Sequence, residues 1–167
     1  MFFTPNDAAP VVTISPPATM VDGDGLVRLT LTGVAPGLAV LRFLPGTDNP
    51  PDPKPGDFTA WMLPYFVNVR VLPTDADLDA IPDDQVTWDL VYDKVLRYFW
   101  RMYPTMDAHL RLNDKAQVDA QAQIVSLLID TSSSFSTLYM PITRDLSGGK
   151  RRLLQRYCAR VQAGQTT

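Results

Sequence analysis

The amino-acid sequence predicts an α+β fold in which an N-terminal antiparallel β-sandwich packs against a C-terminal region of three helices. The first observation is a series of short runs rich in β-branched residues, separated by glycine and proline turns, over residues 11–73. The second is a change to helical spacing of the apolar residues, near 84–103, 114–130 and 148–162. An apolar content of 46% in 167 residues is enough for a real core.

Changes in composition divide the chain into four parts. We predict an N-terminal arm over residues 1–10, the β-sandwich domain over 11–73, an acidic linker over 74–83 and a helical domain over 84–167. Pro5 and Pro10 bracket a polar NDAA, so the arm is expected to be mobile or bound to a partner. Phe2 and Phe3 are its candidate interaction residues, because they would be costly to leave always exposed to water.

The strands of the predicted sandwich are short and end at turns. Val11 to Ser15 is a β-branched run, and Leu26 to Thr32 alternates so that Leu29 and Leu31 share one face. Five prolines between Pro45 and Asp57 favour an extended, exposed loop over a hydrogen-bonded strand.

Three motifs carry a resemblance over residues 11–43: a VTISP opening, the strand GLVRLTLTG and the strand GLAVL. This stretch resembles bacterial immunoglobulin-like domains. The resemblance implies an immunoglobulin-like β-sandwich that serves spacing or binding rather than catalysis, and it implies no functional residues.

The segment from Asp83 to Pro104 is the most helix-like part of the chain, and it is too apolar to stand alone. One apolar stripe consists of Val91, Val95, Tyr98 and Met102. Asp83 and Asp84 are expected to cap its first turn. Asn113 or Asp114 is expected to cap the second helix, where Asp114 and Gln117 have the spacing of a capping box, and Ser147 is expected to cap the third.

Charge is distributed unevenly along the chain. All 18 acidic residues are Asp, and the net charge of −3 is the sum of −9 over residues 1–93 and +6 over residues 94–167. The halves should therefore attract one another, or face partners of opposite sign. Neither a signal peptide nor an apolar run long enough for a membrane span is visible, so we expect a soluble protein that is cytoplasmic by default.

The acidic linker is a candidate calcium site. Asp75, Asp77, Asp79 and Asp83 follow the first, third, fifth and ninth positions of a calcium loop, where carboxylates converge on one hard cation. The linker lacks the glycines that let such loops bend, and an acidic segment that caps the next helix is the alternative. The main prediction includes no cofactor, and calcium at this linker is the alternative.

Catalytic side chains are scarce. The chain has one His, one Cys and no Glu, so a nucleophilic triad would have to include His109. The Met140-Pro141 segment resembles the methionine-ligand segment of c-type cytochromes, which makes a cofactor near His109 and Met140 the alternative hypothesis. Cys158, as the single cysteine, permits no intramolecular disulfide.

The last predicted helix is basic. Its candidate interaction residues are Lys150, Arg151, Arg152 and Arg156. No aromatic residues interleave these charges and the whole chain is acidic, so we do not expect nucleic-acid binding. The basic side chains would then form a solvated face or a mate for the acidic half.

These observations predict a non-catalytic protein–protein interaction module or accessory subunit of a larger assembly, with a protein partner or a second copy of the chain and no membrane. The alternatives are an enzyme or redox accessory subunit with a cofactor near His109 and Met140, and a calcium-binding adhesion-type module.

Overall fold

The structure is a computed structural model that describes residues 10–15, 23–26, 28–42 and 66–165. The chain divides into two compact units, Met1–Leu72 and Pro73–Thr167, which we describe separately. The predicted arm with Phe2 and Phe3, and the proline-rich loop, lie outside the described residues.

The first unit contains two antiparallel strand pairs in its described part. The strands are β1 (Val12–Ser15), β2 (Thr30–Gly33), β3 (Gly37–Arg42) and β4 (Phe66–Val71). β1 pairs with β2, and β3 pairs with β4. Val12 lies opposite Gly33 in the first pair, and Gly37 lies opposite Val71 in the second.

Two glycines allow the strand pairs to approach each other closely. A Cβ atom at Gly33 would lie 2.9 Å from Cγ1 of Val71, and one at Gly37 would lie 2.8 Å from Cγ2 of Val11. The amide of Val34 donates a hydrogen bond to the carbonyl oxygen of Val11 at 2.9 Å, which extends the β1–β2 pair by one position. The absence of a side chain at Gly33 and Gly37 therefore lets the two strand pairs approach this closely.

The predicted immunoglobulin-like β-sandwich is wrong. Among the described residues each sheet has only two strands, and apolar strand residues such as Leu38 and Val67 are 60% and 49% exposed. Alternation along a strand defines its two faces but does not determine how many strands pair or whether a second sheet covers one face. The chain is a small α+β fold, and the resemblance of residues 11–43 stays a prediction.

The second unit is helical. Its helices are α1 (Trp88–Val91), a π-helical turn (Tyr92–Leu96), α2 (Arg97–Met102), α3 (Lys115–Ala120), α4 (Ala122–Leu128) and α5 (Gly148–Gln162), with short 3-10 turns at Ala76–Ala80, Asp83–Gln85, Pro104–Ala108 and Thr131–Ser133. Within the ranges that the structure describes, no helix has the length and apolar character needed to cross a bilayer.

Two of the predicted caps are confirmed and one is wrong. Ser147 accepts a hydrogen bond from the amide of Lys150 at the start of α5, and Asp114 accepts one from the amide of Gln117 at the start of α3. The first helix is capped by Thr87, and not by the aspartates at 83 and 84. Those two aspartates belong to a separate 3-10 turn.

The π-helical turn changes which face of the first helix is buried. Val91, Val95 and Phe99 are buried, whereas Tyr98 and Met102 are 52% and 55% exposed. A π turn contains more residues than an α turn, so it rotates the following residues about the helix axis. The predicted stripe is therefore wrong at its last two positions.

α5 lies at the centre of the second unit. Leu153, Tyr157 and Cys158 in this helix are at most 1% exposed, and they pack in one core with residues of α1, the π-helical turn and α3, including Val91, Val95 and Val118. Most of the stability of a helix in a protein comes from such packing rather than from intrinsic propensity.

The predicted acidic linker, residues 74–83, packs on α5, and we call this segment the acidic strap. Leu78 of the strap is 6% exposed and belongs to the core of the second unit. The amide of Gly149 donates to the carbonyl oxygen of Thr74 at 3.0 Å. Asp75 adopts the left-handed conformation, with φ of 46°, which Asp tolerates better than most residues.

Aspartates of the strap pair with arginines of α5. Arg152 donates to Asp79 from Nε at 2.8 Å and from Nη2 at 2.5 Å, and Arg156 Nε donates to Asp83 at 2.7 Å. The hydrogen bond from Arg152 holds the pKa of Asp79 below its usual value. The expected attraction between the acidic and basic halves of the sequence is found here, within the second unit.

We predict that Gly149→Ala destabilises the second unit. The new Cβ would lie 2.0 Å from the carbonyl oxygen of Asp75, and a backbone atom cannot yield as a side chain does. Urea denaturation should show a loss of about 2 kcal/mol or more.

Gly148→Ala is the matched control, because its Cβ would meet only the flexible end of Arg152, at 3.1 Å. It should be neutral or stabilise by up to ~1 kcal/mol through helix propensity. Equal losses in both variants would contradict the close approach at Gly149.

Candidate functional site

The second unit contains an apolar pocket of about 260 Å³. It lies between the π-helical turn, α2, α4, α5 and the connecting segments 103–112 and 140–146. Its lining residues are Val95, Leu96, Phe99, Tyr103, Thr105, Met106, Leu110, Leu112, Val125, Leu128, Ile129, Met140, Pro141, Ile142, Leu146 and Leu154.

The pocket has a buried floor and an open rim. Leu96 and Leu154 are 2% and 3% exposed, whereas Ile142 is 62% exposed. Of the described residues that line the pocket, only Tyr103 has an ionisable side chain, and Thr105 supplies a second hydroxyl. Aliphatic, aromatic and sulfur-containing side chains form the remaining surface, which is typical of pockets that bind apolar ring systems.

Arg144 organises the loop that carries one side of the rim. Its Nε donates to the carbonyl oxygen of Ser134 at 2.7 Å, and its Nη1 donates to that of Ile142 at 3.0 Å. The amide of Met140 donates to the carbonyl oxygen of Leu128 in α4 at 2.8 Å. The loop is therefore held both to itself and to α4, so Met140 and Ile142 have defined positions at the pocket.

A chain of three polar side chains begins at Tyr103. The hydroxyls of Tyr103 and Thr143 are 2.5 Å apart, and Thr143 Oγ1 donates to Asp145 Oδ1 at 2.6 Å. The ring of Tyr103 stacks on that of Phe99, with a centroid separation of 6.2 Å and an angle of 11° between the planes. Thr143 directly follows the rim residue Ile142, so these hydrogen-bonded side chains lie beside the rim.

The four predicted calcium ligands do not form a cluster. Within the described ranges no three His, Cys, Asp or Glu side chains come together as a metal site. Asp79 and Asp83 are paired with arginines, and Asp75 accepts a hydrogen bond from the Ser147 hydroxyl and lies 3.8 Å from Lys150 Nζ. Asp77 is exposed. Calcium binding stays a prediction, without support from this geometry.

Three of the four predicted basic interaction residues contact the acidic strap. These are Lys150, Arg152 and Arg156, whose partners are given above. Arg151 is half-buried. A protein partner or a second copy of the chain stays a prediction.

His109 and Met140 occupy different environments. Met140 is half-buried and lines the pocket, whereas His109 is exposed and does not line it. The sequence therefore identified one pocket residue, Met140, but as a residue near a cofactor rather than as part of an apolar wall. The signal that was missed is the number of apolar residues in the connecting segments 104–112 and 138–142, which lie outside the three predicted helices.

A second polar cluster lies against α5. The Tyr157 hydroxyl donates to Asp119 Oδ1 at 2.5 Å, and Lys115 Nζ donates to Asp119 Oδ2 at 2.7 Å. Burial, together with Asp119, raises the pKa of Tyr157. Burial raises the pKa of the Cys158 thiol to about 12. Neither group is suited to act as a base or nucleophile near neutral pH.

Two enzymes match most of this chain. An alignment of 149 positions that covers 84% of this chain gives 32% identity to a dichlorochromopyrrolate synthase of Lentzea aerocolonigenes. An alignment of 142 positions, which also covers 84% of this chain, gives 30% identity to a 2-imino-3-(indol-3-yl)propanoate dimerase of Chromobacterium violaceum. The matched regions span 14% and 12% of these relatives. No family model and no solved structure matches the chain.

The comparison corrects the functional prediction. Both relatives are named as enzymes, so the predicted non-catalytic interaction module or accessory subunit is wrong, as is the alternative of a calcium-binding adhesion-type module. The prediction was wrong because it was based on the scarcity of catalytic side chains in this chain. That scarcity excludes an enzyme only if every reacting group must come from the chain itself.

We predict that Cys158 is protected from thiol reagents in the folded chain. It is fully buried, and its raised pKa leaves almost no thiolate at pH 8. Reaction with an aromatic disulfide, followed by absorbance, should be at least ~100-fold slower in buffer than in urea. Similar rates in the two conditions would contradict the buried position of α5.

Proposed function

We propose that this chain contributes a pocket for an aromatic ring to an enzyme that joins indole-bearing acids. The observation that carries the proposal is the likeness, over 84% of the chain, to a synthase and a dimerase. The dimerase is named for an imino acid whose side chain is an indole. A substrate of this kind has an apolar, planar end that an apolar pocket would hold.

The size of the pocket supports a two-ring ligand. An engineered apolar cavity of about 150 Å³ in another protein stays dry and binds benzene. The pocket here, at about 260 Å³, has room for a benzene ring fused to a pyrrole, which is an indole. Since Ile142 and Tyr103 border the opening, the acid end of such a ligand would point out of the pocket toward solvent or toward another part of the enzyme.

The role proposed for this chain is binding and orientation. Among the residues that the structure describes, none that lines the pocket has a carboxylate, imidazole, amine or thiol that could transfer a proton or attack a substrate. Joining two molecules requires that they meet in a reactive orientation, and holding one of them can lower the barrier substantially. We propose that the groups that perform the chemical step come from outside this pocket.

A comparison of adjacent residues in α4 tests this proposal. Leu128 lines the pocket, whereas Leu127 is 66% exposed and does not line it. We expect the chain to bind indole-3-propanoate, a stable acid with the same ring, with a dissociation constant on the order of 0.1–1 mM by calorimetry. Leu128→Trp should weaken binding by at least ~10-fold, because its own indole fills the cavity.

Leu127→Trp is the matched control and should bind as the original chain does. Both variants should first be shown by circular dichroism and thermal melting to be folded. Binding that survives Leu128→Trp, or no binding to the original chain at millimolar ligand, would overturn the proposed pocket. Met140→Trp fills the same cavity from the rim and replaces Leu128→Trp if that variant does not fold.

A further inference from the structure

The direction of the hydrogen bonds along the rim determines what Tyr103 can offer to a ligand. A carboxylate accepts and does not donate, so Asp145 receives the single hydroxyl proton of Thr143, at 2.6 Å. The bond between Thr143 and Tyr103, at 2.5 Å, must then use the proton of Tyr103. The Tyr103 oxygen retains only its acceptor capacity.

The position of Tyr103 is fixed by its neighbours. Its ring stacks on Phe99, which is 7% exposed, and both residues line the pocket. The tyrosine hydroxyl is bound to Thr143, which follows the rim residue Ile142. The tyrosine oxygen therefore has a constrained orientation, on a ring that lines an otherwise almost entirely apolar cavity.

We infer that Tyr103 makes the pocket selective for ring systems that carry an N–H group, with Thr143 and Asp145 as positioning residues. An indole N–H directed at the rim would donate to the tyrosine oxygen. A ring of the same shape whose heteroatom cannot donate would leave that oxygen without its partner in the closed complex, and a polar group that loses its partner on burial weakens binding. This inference rests on the proposed function, because it assumes that the pocket holds the ring.

The test compares two probes of nearly equal shape, indole and benzothiophene, by calorimetry on the full chain. Because benzothiophene leaves water more readily, the quantity to compare is the ratio of the two dissociation constants in each variant. Tyr103→Phe should shift this ratio by about 5- to 10-fold toward benzothiophene, the size of one hydrogen bond. The same substitution at Tyr98, which is 52% exposed and does not line the pocket, should leave the ratio unchanged.

Thr143→Val provides a second readout that a purely structural role for Tyr103 would not change. Without the threonine acceptor the tyrosine hydroxyl regains a proton to donate, so affinity for benzofuran, whose ring oxygen accepts, should rise relative to indole. An unchanged indole-to-benzothiophene ratio in Tyr103→Phe, with both probes bound, would overturn the N–H selectivity alone. Failure of the original chain to bind either probe would overturn the pocket itself, and the selectivity with it.

Discussion

The second unit depends on the close contact between the acidic strap and the start of α5. At Gly149 the backbone of the strap occupies the space that a Cβ atom would need, so only glycine permits this approach. The contact also places Asp79 and Asp83 within hydrogen-bonding distance of Arg152 and Arg156. Exposed ion pairs of this kind contribute little individually. The ion pairs instead determine which residues of the strap lie opposite which residues of α5. The burial of Leu78 in the core stabilises the contact.

α5 connects this contact to the pocket. One side of the helix carries the arginines that face the strap, and another side carries Leu154, which is 3% exposed and lines the pocket. Tyr157 links the same helix to α3 through Asp119. The side chains that form the deep wall of the pocket are therefore held by interactions that lie outside it. A protein can maintain an open apolar cavity in this way because the surrounding helices do not depend on filling it.

The parts of this fold that could be predicted from the sequence are those with a repeating pattern. α5 has apolar residues at helical spacing and a serine before its first turn, so its extent and its cap follow directly. The first helix is predicted less well, because a π-helical turn leaves no mark in the apolar pattern and rotates Tyr98 and Met102 to the surface. The β-sandwich is wrong because strand alternation does not specify the number of strands that pair.

The pocket was not predictable from the sequence, because its polar rim joins residues that are far apart in the chain. Tyr103 and Thr143 are 40 positions apart, and the loop that carries Thr143 is held by Arg144, which is in the left-handed conformation with φ of 52°.

The most direct test of the proposed pocket uses methyl-labelled methionine and indole-3-propanoate in a nuclear magnetic resonance titration. Met106 and Met140 line the pocket, and Met102 is an exposed internal control. If the pocket holds the ring, the methyl signals of Met106 and Met140 should show saturable ring-current shifts, and that of Met102 should show none. Signals of Met106 and Met140 that stay in place at millimolar ligand would contradict the proposed pocket.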